Sequence, residues 1–364
     1  MTRIACCVLL LAVSFADVAS AQPAAKSSSK GGGTRAELDA LINRLGKTPP
    51  DWFKGTPLNY PPTLDLTWPA QATGNWNNQK NVGQYLWDVV NPNPGRWKEG
   101  VKLMHHLLTL QKDDPEKRER IMLTLARMYH NLLEDYGRSA FWFRAAGVEK
   151  DPVEYAQSAV VLAECYWRLG FEDEARKLLQ KIPSNLAHAK LLGDLGETDK
   201  AIQMAMEDPD SQGYSSLTAG DACRQAGRYD EALKYYQQVL AIPVPATNPP
   251  GRLVKNRSRA DANVIAIQSF ELSDPQKVPD GTYKSSSQGY EGPVEVAVTV
   301  KRGKIESVTI SQHREKQFYS AMTDTPRKIV SKQSVKGIDT TRNATITSEA
   351  IVNATARALA AAQK

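Results

Sequence analysis

The stretch Gly220–Ala232, GDACRQAGRYDEA, is the clearest sign of the architecture of the larger part of this 364-residue chain. Small residues lie on one face of a first helical segment, a turn follows at Gly227, and a second helical segment opens on Asp230 and Glu231. Acidic side chains in the first turn of a helix interact favourably with the helix dipole. The small side chain of Ala232 lets two helices approach closely. The stretch therefore predicts a helical hairpin.

Related patterns occur upstream. Ala163–Ala175 (AECYWRLGFEDEA) is a fair copy, and Gly196–Ala201 (GETDKA) is a shorter, degenerate one. The spacing from Ala175 to Ala201 and on to Ala232 is uneven, so we expect an irregular array. Residues that indicate one earlier unit are Tyr129, Tyr136, Ala140 and Pro152.

The array resembles the tetratricopeptide repeat, with the best match around Gly220, Tyr229, Ala232, Tyr236 and Pro243. The resemblance implies an all-α domain of stacked helical hairpins over residues 98–243. Such arrays usually present a concave face to a partner. Alternatively, the hairpins pack only against the chain's own other domains, and the sequence leaves both interpretations open.

The N-terminal residues have the pattern of a secretory signal. Arg3 precedes an apolar run, Ile4–Val13, and Ala19–Ala21 is a small-x-small cleavage site. The run is too short to span a bilayer comfortably, which takes about 20 residues. We therefore expect residues 1–21 to be a signal peptide, either cleaved or retained as an anchor. The protein would then be exported, to the periplasm or the extracellular space.

Residues 22–33 are predicted to be a flexible leader and residues 34–97 an irregular arm. Thr34 and Glu37 have capping-box spacing, which predicts a helix from there to about Gly46. Prolines then exclude regular helix, because proline removes a donor and fixes a backbone angle. The tryptophans among them would form a carbohydrate-binding surface or, more commonly, attach the arm to a neighbouring domain. The residues concerned are Pro49, Pro50, Trp52, Pro57, Pro61, Pro62, Trp68, Pro69 and Trp76.

The composition is that of a soluble globular protein, with 41% hydrophobic and 24% charged residues. The net charge of +6 is scattered and accompanies no nucleic-acid motif, so nucleic acid is not an expected partner. Peripheral association with anionic lipid or cell-wall polymer stays open. Cys165 and Cys223 suit the helical core, or else a single disulfide. No metal-ligand spacing occurs, so we expect no metal site.

The pattern changes beyond residue 243. Residues 244–279 are predicted to be a linker with one helix at Asp261–Leu272. A strand is expected from Gly281, and Val294–Val300 and Lys304–Ser311 predict a hairpin that turns at Arg302-Gly303.

Two helices complete a small α+β unit at residues 280–364. They are predicted at Pro326–Lys332 and Glu349–Ala362. The second would place Ile351, Ala354, Ala358 and Leu359 on one face. The chain is therefore predicted to be multidomain, an all-α helical array followed by this α+β domain.

The segment between these helices, Gly337–Ser348, reads GIDTTRNATITS. Small and hydroxyl residues gather there just before a helix N-terminus, where free N–H groups and the helix dipole favour a phosphate. Threonine and serine in this place are more often plain caps. The residues by themselves leave both interpretations open.

The whole stretch from DGTY (280–283) through QGY (288–290) to ATITS (344–348) resembles the FMN-binding domain family. That family includes periplasmic subunits of ion-pumping respiratory complexes. The resemblance implies FMN, joined through its phosphate by a flavin transferase to a threonine in an Asp-x-x-Ser/Thr-Gly-Ala-Thr motif. Asp339, Ala344 and Thr345 match its aspartate, alanine and acceptor threonine. The candidate cofactor-binding residues are Asp339, Arg342, Asn343, Ala344, Thr345, Thr347 and Ser348.

Two positions depart from the motif. Asn343 stands where the family has glycine, and asparagine is the next most tolerant residue for a left-handed backbone. Arg342 stands where the family has serine or threonine. It would hinder the transferase, or else form a salt bridge with the phosphate of noncovalent FMN, and a domain that has lost flavin is the third alternative.

The resemblance favours an electron-transfer flavoprotein over an enzyme with its own substrate, because no general acid and base accompany the motif. We expect the repeats to dock a redox partner protein. The alternative is an interaction scaffold whose FMN-like domain has lost flavin. A reductase of a small exported substrate is a weaker alternative.

Overall fold

The computed structural model describes residues 33–69, 75–207, 210–317, 319–338 and 345–363. The predicted signal peptide and almost all of the leader lie outside these ranges. So do four candidate site residues, Asp339, Arg342, Asn343 and Ala344, and the side chain of Thr345.

Helix α1 spans Arg35–Lys47 and begins with the predicted capping box. The Thr34 hydroxyl accepts a hydrogen bond from the backbone N–H of Glu37, and the Glu37 carboxylate accepts one from the backbone N–H of Thr34. The helix ends one residue beyond the expected Gly46.

The arm beyond α1 is held to the helical array by two of its tryptophans. The Lys98 ammonium lies 5.8 Å from the ring centre of Trp52, and the Arg120 guanidinium lies 4.0 Å from that of Trp68. This confirms the attaching role for these two rings, whereas Trp76 is 63% exposed. The short elements described here are α2 (Asp51–Gly55), α3 (Val82–Tyr85), a π-helical turn (Leu86–Val90) and a 3-10 turn (Pro94–Arg96).

A helical array follows the arm, and most successive helices pack against each other, while α9 packs on α7 rather than on α8. Its helices are α4 (Trp97–Leu110), α5 (Pro115–Asn131), α6 (Tyr136–Ala145), α7 (Ala156–Arg168), α8 (Glu172–Leu179), α9 (Leu186–Asp194), α10 (Thr198–Met206), α11 (Tyr214–Gln225), α12 (Tyr229–Ala241) and α13 (Gly251–Ser269).

Three hairpins of the array have turns of the same geometry, which confirms the predicted repeat. In each, a glycine is left-handed and the N–H of the next residue returns to a carbonyl five residues earlier. The turn glycines are Gly170, Gly196 and Gly227, with φ of +93°, +79° and +75°. The alanines of the following helices, Ala175, Ala201 and Ala232, are fully buried. The interpretation of Cys165 and Cys223 as core residues is also confirmed, because both are buried free thiols.

Helix α13 begins ten residues before the predicted Asp261, so that expectation was wrong. The buried side of this helix includes Asn256, Arg259 and Asn263. Buried polar residues of this kind are hidden from an apolar periodicity analysis, because in sequence they resemble a solvated surface. A 3-10 turn, Phe270–Leu272, completes the segment.

The C-terminal domain contains an antiparallel sheet in the order β1-β2-β3. Arg302 and Gly303 both have positive φ, as a two-residue type I′ turn requires, and this confirms the predicted hairpin. Alternate residues of β2 are buried beneath the last helix of the chain. The strands are β1 (Gly281–Gln288), β2 (Pro293–Lys301) and β3 (Lys304–Gln312).

Both C-terminal helices begin earlier than predicted. Helix α14 spans Ala321–Lys332, so Pro326 lies inside its N-terminal part instead of opening it. Helix α15 spans Thr345–Ala362 and therefore begins four residues before the predicted Glu349. Thr347 and Ser348 therefore lie in its first turn. Their hydroxyls bond to the side chains of Glu315 and Thr325, instead of capping the helix. The predicted apolar face, Ile351, Ala354, Ala358 and Leu359, is buried as expected.

The architecture is thus an all-α repeat array followed by a small α+β domain. No helix in the described part of the chain is long and apolar enough to cross a membrane.

Candidate functional site

Three consecutive side chains in the first turn of α15 contact three different parts of the protein. The Thr347 hydroxyl donates to Glu315 Oε2 at 2.8 Å, in the segment after β3. The hydroxyls of Ser348 and Thr325 lie 3.0 Å apart, which joins the turn to α14. Glu349 Oε2 accepts from Arg259 Nη2 at 3.3 Å, which joins it to α13. The N-terminal turn that starts at Thr345 is therefore fixed from several sides.

Glu315 links this turn to the loop between β1 and β2. Its carboxylate is buried and also accepts the backbone N–H of Glu291 at 3.1 Å. Burial raises the pKa of Glu315, and the hydrogen bonds from Thr347 and the backbone partly oppose that shift. A Cβ on Gly289 would lie 2.6 Å from Glu315 Oε1, so the loop approaches as closely as only glycine permits. The Gly289-Tyr290-Glu291 loop is thus held against the N-terminal end of α15.

On the opposite side, α15 contacts the repeat array through a buried ion network. Arg259 Nη2 donates to Asp221 Oδ2 at 2.9 Å as well as to Glu349. Burial raises the pKa of Glu349 to about 7, the nearby Asp221 carboxylate acts in the same direction, and Arg259 opposes them. The contact between the two domains is therefore electrostatic at this point.

Arg224 lies beside this network and has a different set of partners. Its two terminal nitrogens donate to the side-chain oxygens of Asn263 and Asn353, each at 2.7 Å. Its positive charge also lowers the pKa of the nearby Glu349 carboxylate. Neutral amides fix the guanidinium in place without cancelling its positive charge.

Arg224 lines a cavity of about 220 Å³ between the last repeat and the C-terminal domain. The rings of Tyr229 and Phe270 form part of its wall, with their centres 5.5 Å apart. The remaining lining residues are Asp221, Gln225, Val335, Gly337, Ile338, Glu349 and Val352.

A second, more open cavity of about 470 Å³ lies along α14 and shares Gly337 and Ile338 with the first. Its lining is cationic, and the Lys332 ammonium donates to the Gly337 carbonyl at 2.9 Å. The other lining residues are Asp324, Arg327, Lys328 and Ser331. Both cavities therefore meet the segment that leads into Asp339.

Of the predicted site residues, the structure places Thr345 at the first position of α15 and Thr347 and Ser348 in the same turn. The expectation that Thr347 and Ser348 contact the cofactor stays a prediction. Sequence reasoning missed Glu315, Glu349, Arg259 and Arg224, because charged residues in polar stretches carry no local sign that they are buried together.

Residues 289–360 match the FMN-binding domain family, and residues 219–250 match the tetratricopeptide repeat. One relative is an uncharacterized protein of Treponema pallidum (strain Nichols), 32% identical over 109 residues. The alignment covers 29% of this chain and 30% of the relative, so less than a third of the relative's length is spanned. No solved structure matches the chain. The chain thus contains an FMN-binding domain preceded by a tetratricopeptide repeat.

The described residues fit FMN. The first N–H groups of an α-helix have no partner within the helix, and together with the dipole they favour a phosphate at the end where Thr345 lies. Two aromatic rings and the Arg224 guanidinium, held by two neutral amides, line the adjoining cavity. A planar aromatic ring system with hydrogen-bond acceptors suits such a lining.

Proposed function

We propose that this protein is an exported flavoprotein that carries electrons through FMN joined at Thr345 by a phosphate ester. The observation that carries the proposal is the match to the FMN-binding domain over residues 289–360. Thr345, which matches the family's acceptor, is also the first residue of the 18-residue helix α15.

Bound FMN would supply the redox chemistry, and the chain would supply binding, orientation and electrostatics. Thr345 would hold the phosphate ester, with Asp339, Arg342, Asn343 and Ala344 in the attachment motif. Glu315 would keep the Gly289-Tyr290-Glu291 loop beside that end of the helix. We assign no catalytic residue.

The same proposal includes the partners and the compartment. Export through the N-terminal signal would bring the chain to a flavin transferase in the periplasm or outside the cell. The repeat array would dock a redox partner protein, with peripheral contact to lipid or cell wall as an addition. Intact-mass measurement of the secreted chain tests the export step, since cleavage after Ala21 leaves a defined product.

The alternative is an interaction scaffold without flavin, and the departures at Arg342 and Asn343 favour it. A protein that binds FMN only noncovalently lies between the two. Flavin content and its mode of attachment separate all three.

The deciding experiment is in-gel flavin fluorescence of denatured protein co-expressed with a flavin transferase. We expect a fluorescent wild-type band that is lost in Thr345→Ala and kept in Thr341→Ala, a threonine of the same motif. Arg342→Ser with Asn343→Gly restores the family motif and should increase covalent loading.

Two results would contradict covalent attachment at Thr345. Flavin released into the filtrate on denaturation, with a dark gel band, would show noncovalent FMN. A dark band with no released flavin would support the scaffold.

A further inference from the structure

We infer that the repeat array forms the second wall of the flavin site. The 220 Å³ cavity between α11, α12 and the FMN-binding domain receives the flavin ring, and Arg224 supplies its positive charge. This inference rests on the proposed function, and it assigns to the repeats a part of the cofactor site in addition to partner docking.

The helical geometry of α15 places the attachment position next to this cavity. Positions four apart lie on the same face of a helix, so Thr345 is on the stripe that continues through Glu349. The two positions are separated by about 6 Å along the axis. Glu349 and Val352 line the cavity, and Asn353 bonds to Arg224. Glu349, Val352 and Asn353 therefore face the repeat array, whereas Thr347 faces Glu315 inside the domain.

The chain on the other side of the attachment motif reaches the same cavity. Val335, Gly337 and Ile338 are part of its lining, and the Gly337 N–H donates to the Tyr229 hydroxyl at 3.2 Å. The last described residue before the motif, Ile338, therefore lines the same cavity as Glu349 and Val352 of the helix that follows the motif.

The lining chemistry fits the ring better than the phosphate. The Arg224 guanidinium lies 5.7 Å from the ring centre of Phe270, and Tyr229 meets Phe270 edge to face. Asp221 and Glu349 also line the cavity, and carboxylates would repel a phosphate there. A fixed positive charge beside a flavin ring favours the reduced, more electron-rich form, so Arg224 should raise the reduction potential.

The test compares Arg224→Gln with Arg228→Gln in protein loaded with flavin by the transferase. Arg228 lies just before α12 and pairs with Glu231 and Asp199 at the surface, which makes it a matched control. We expect Arg224→Gln to keep the fluorescent gel band and to shift the flavin midpoint potential to a more negative value. At a fixed redox poise the ratio of reduced to oxidised flavin should fall on the order of tenfold. Arg228→Gln should leave the ratio unchanged.

Two further measurements keep the inference testable if Arg224→Gln is poorly folded. Arg224→Lys retains the charge and should keep a potential close to that of the wild type. Tyr229→Leu opens the wall and should make the bound flavin more accessible to iodide quenching.

The inference would be wrong if Arg224→Gln and Arg228→Gln had equal potentials and Tyr229→Leu left iodide accessibility unchanged. The flavin ring would then lie elsewhere, and the proposed function would still stand. A wild-type protein without flavin would overturn the proposed function and this inference together.

Discussion

Two buried glutamates fix the first turn of α15, and they do so by different means. Glu315 accepts hydrogen bonds from a hydroxyl and from a backbone N–H, all within the FMN-binding domain. Glu349 accepts from Arg259, which it shares with Asp221 of the repeat array. Neutral donors thus hold Glu315 within the domain, whereas a charged donor from the array holds Glu349.

The two contacts should therefore be sensitive to different substitutions. Removing one partner of a buried ion network leaves an uncompensated charge, and this costs more than a lost neutral hydrogen bond. A hydrogen-bonded loop depends instead on close approach, so added volume disturbs it most. Three predictions follow this comparison.

The largest expected effect concerns Arg259. Arg259→Met removes the cation that Asp221 and Glu349 share, and leaves two buried carboxylates without it. We expect the free energy of unfolding to fall by about 3–5 kcal/mol, measured by urea denaturation. Arg327→Met, which removes an exposed pair with Asp324, should leave stability almost unchanged. If both variants unfolded at the same urea concentration, the network would contribute nothing and the comparison would fail.

The next effect concerns the loop beside Glu315. Gly289→Ala would place a Cβ 2.6 Å from Glu315 Oε1 and 2.9 Å from the carbonyl oxygen of Gly292. Such overpacking costs about 1–3 kcal/mol, which thermal unfolding would show as a lower Tm. Gly292→Ala is the control, because its Cβ meets only the flexible Arg314 side chain, at 3.3 Å. A Gly289→Ala protein as stable as Gly292→Ala would mean that the loop has room to move.

The repeats and the hairpin could be predicted from sequence because their signals are local. Gly170, Gly196 and Gly227 each end a helix with a turn that only a few residues define. Arg302 and Gly303 likewise turn the chain between two alternating strands. Local chemistry of this kind is present in a short window of sequence.

The contacts of the candidate site could not be predicted in the same way. Glu315 and Thr347 are 32 residues apart, and Arg259 and Glu349 are 90 residues apart. In sequence each of these charged residues resembles a solvated surface residue, and its burial follows only from tertiary packing. The early start of α13 was missed for the same reason, since its buried side is partly polar.

The smallest expected effect, counted per pH unit, is a pH dependence from Glu349. Its pKa in the folded protein, about 7, is above the ordinary value of 4.5, so the folded state binds an additional proton between these values. The contribution of Glu349 to stability should therefore be greatest below about pH 4.5, and it should decline as the pH rises toward 7. The slope is at most about 1.4 kcal/mol per pH unit. Burial and Asp221 raise the pKa of Glu349 and so increase the pH dependence, whereas Arg259 and Arg224 lower that pKa and oppose it.

Glu349→Gln removes the titrating group, and the slope of unfolding free energy against pH should flatten over that range. Glu315→Gln should flatten it less, because Thr347 and a backbone N–H already stabilise the ionised form of Glu315. Urea titrations at intervals between pH 5 and 7.5 would measure both slopes. If the two variants flattened the slope equally, Glu349 and Glu315 would respond to protons in the same way. The charged contact with the array and the neutral contact within the domain would then not differ in pH dependence.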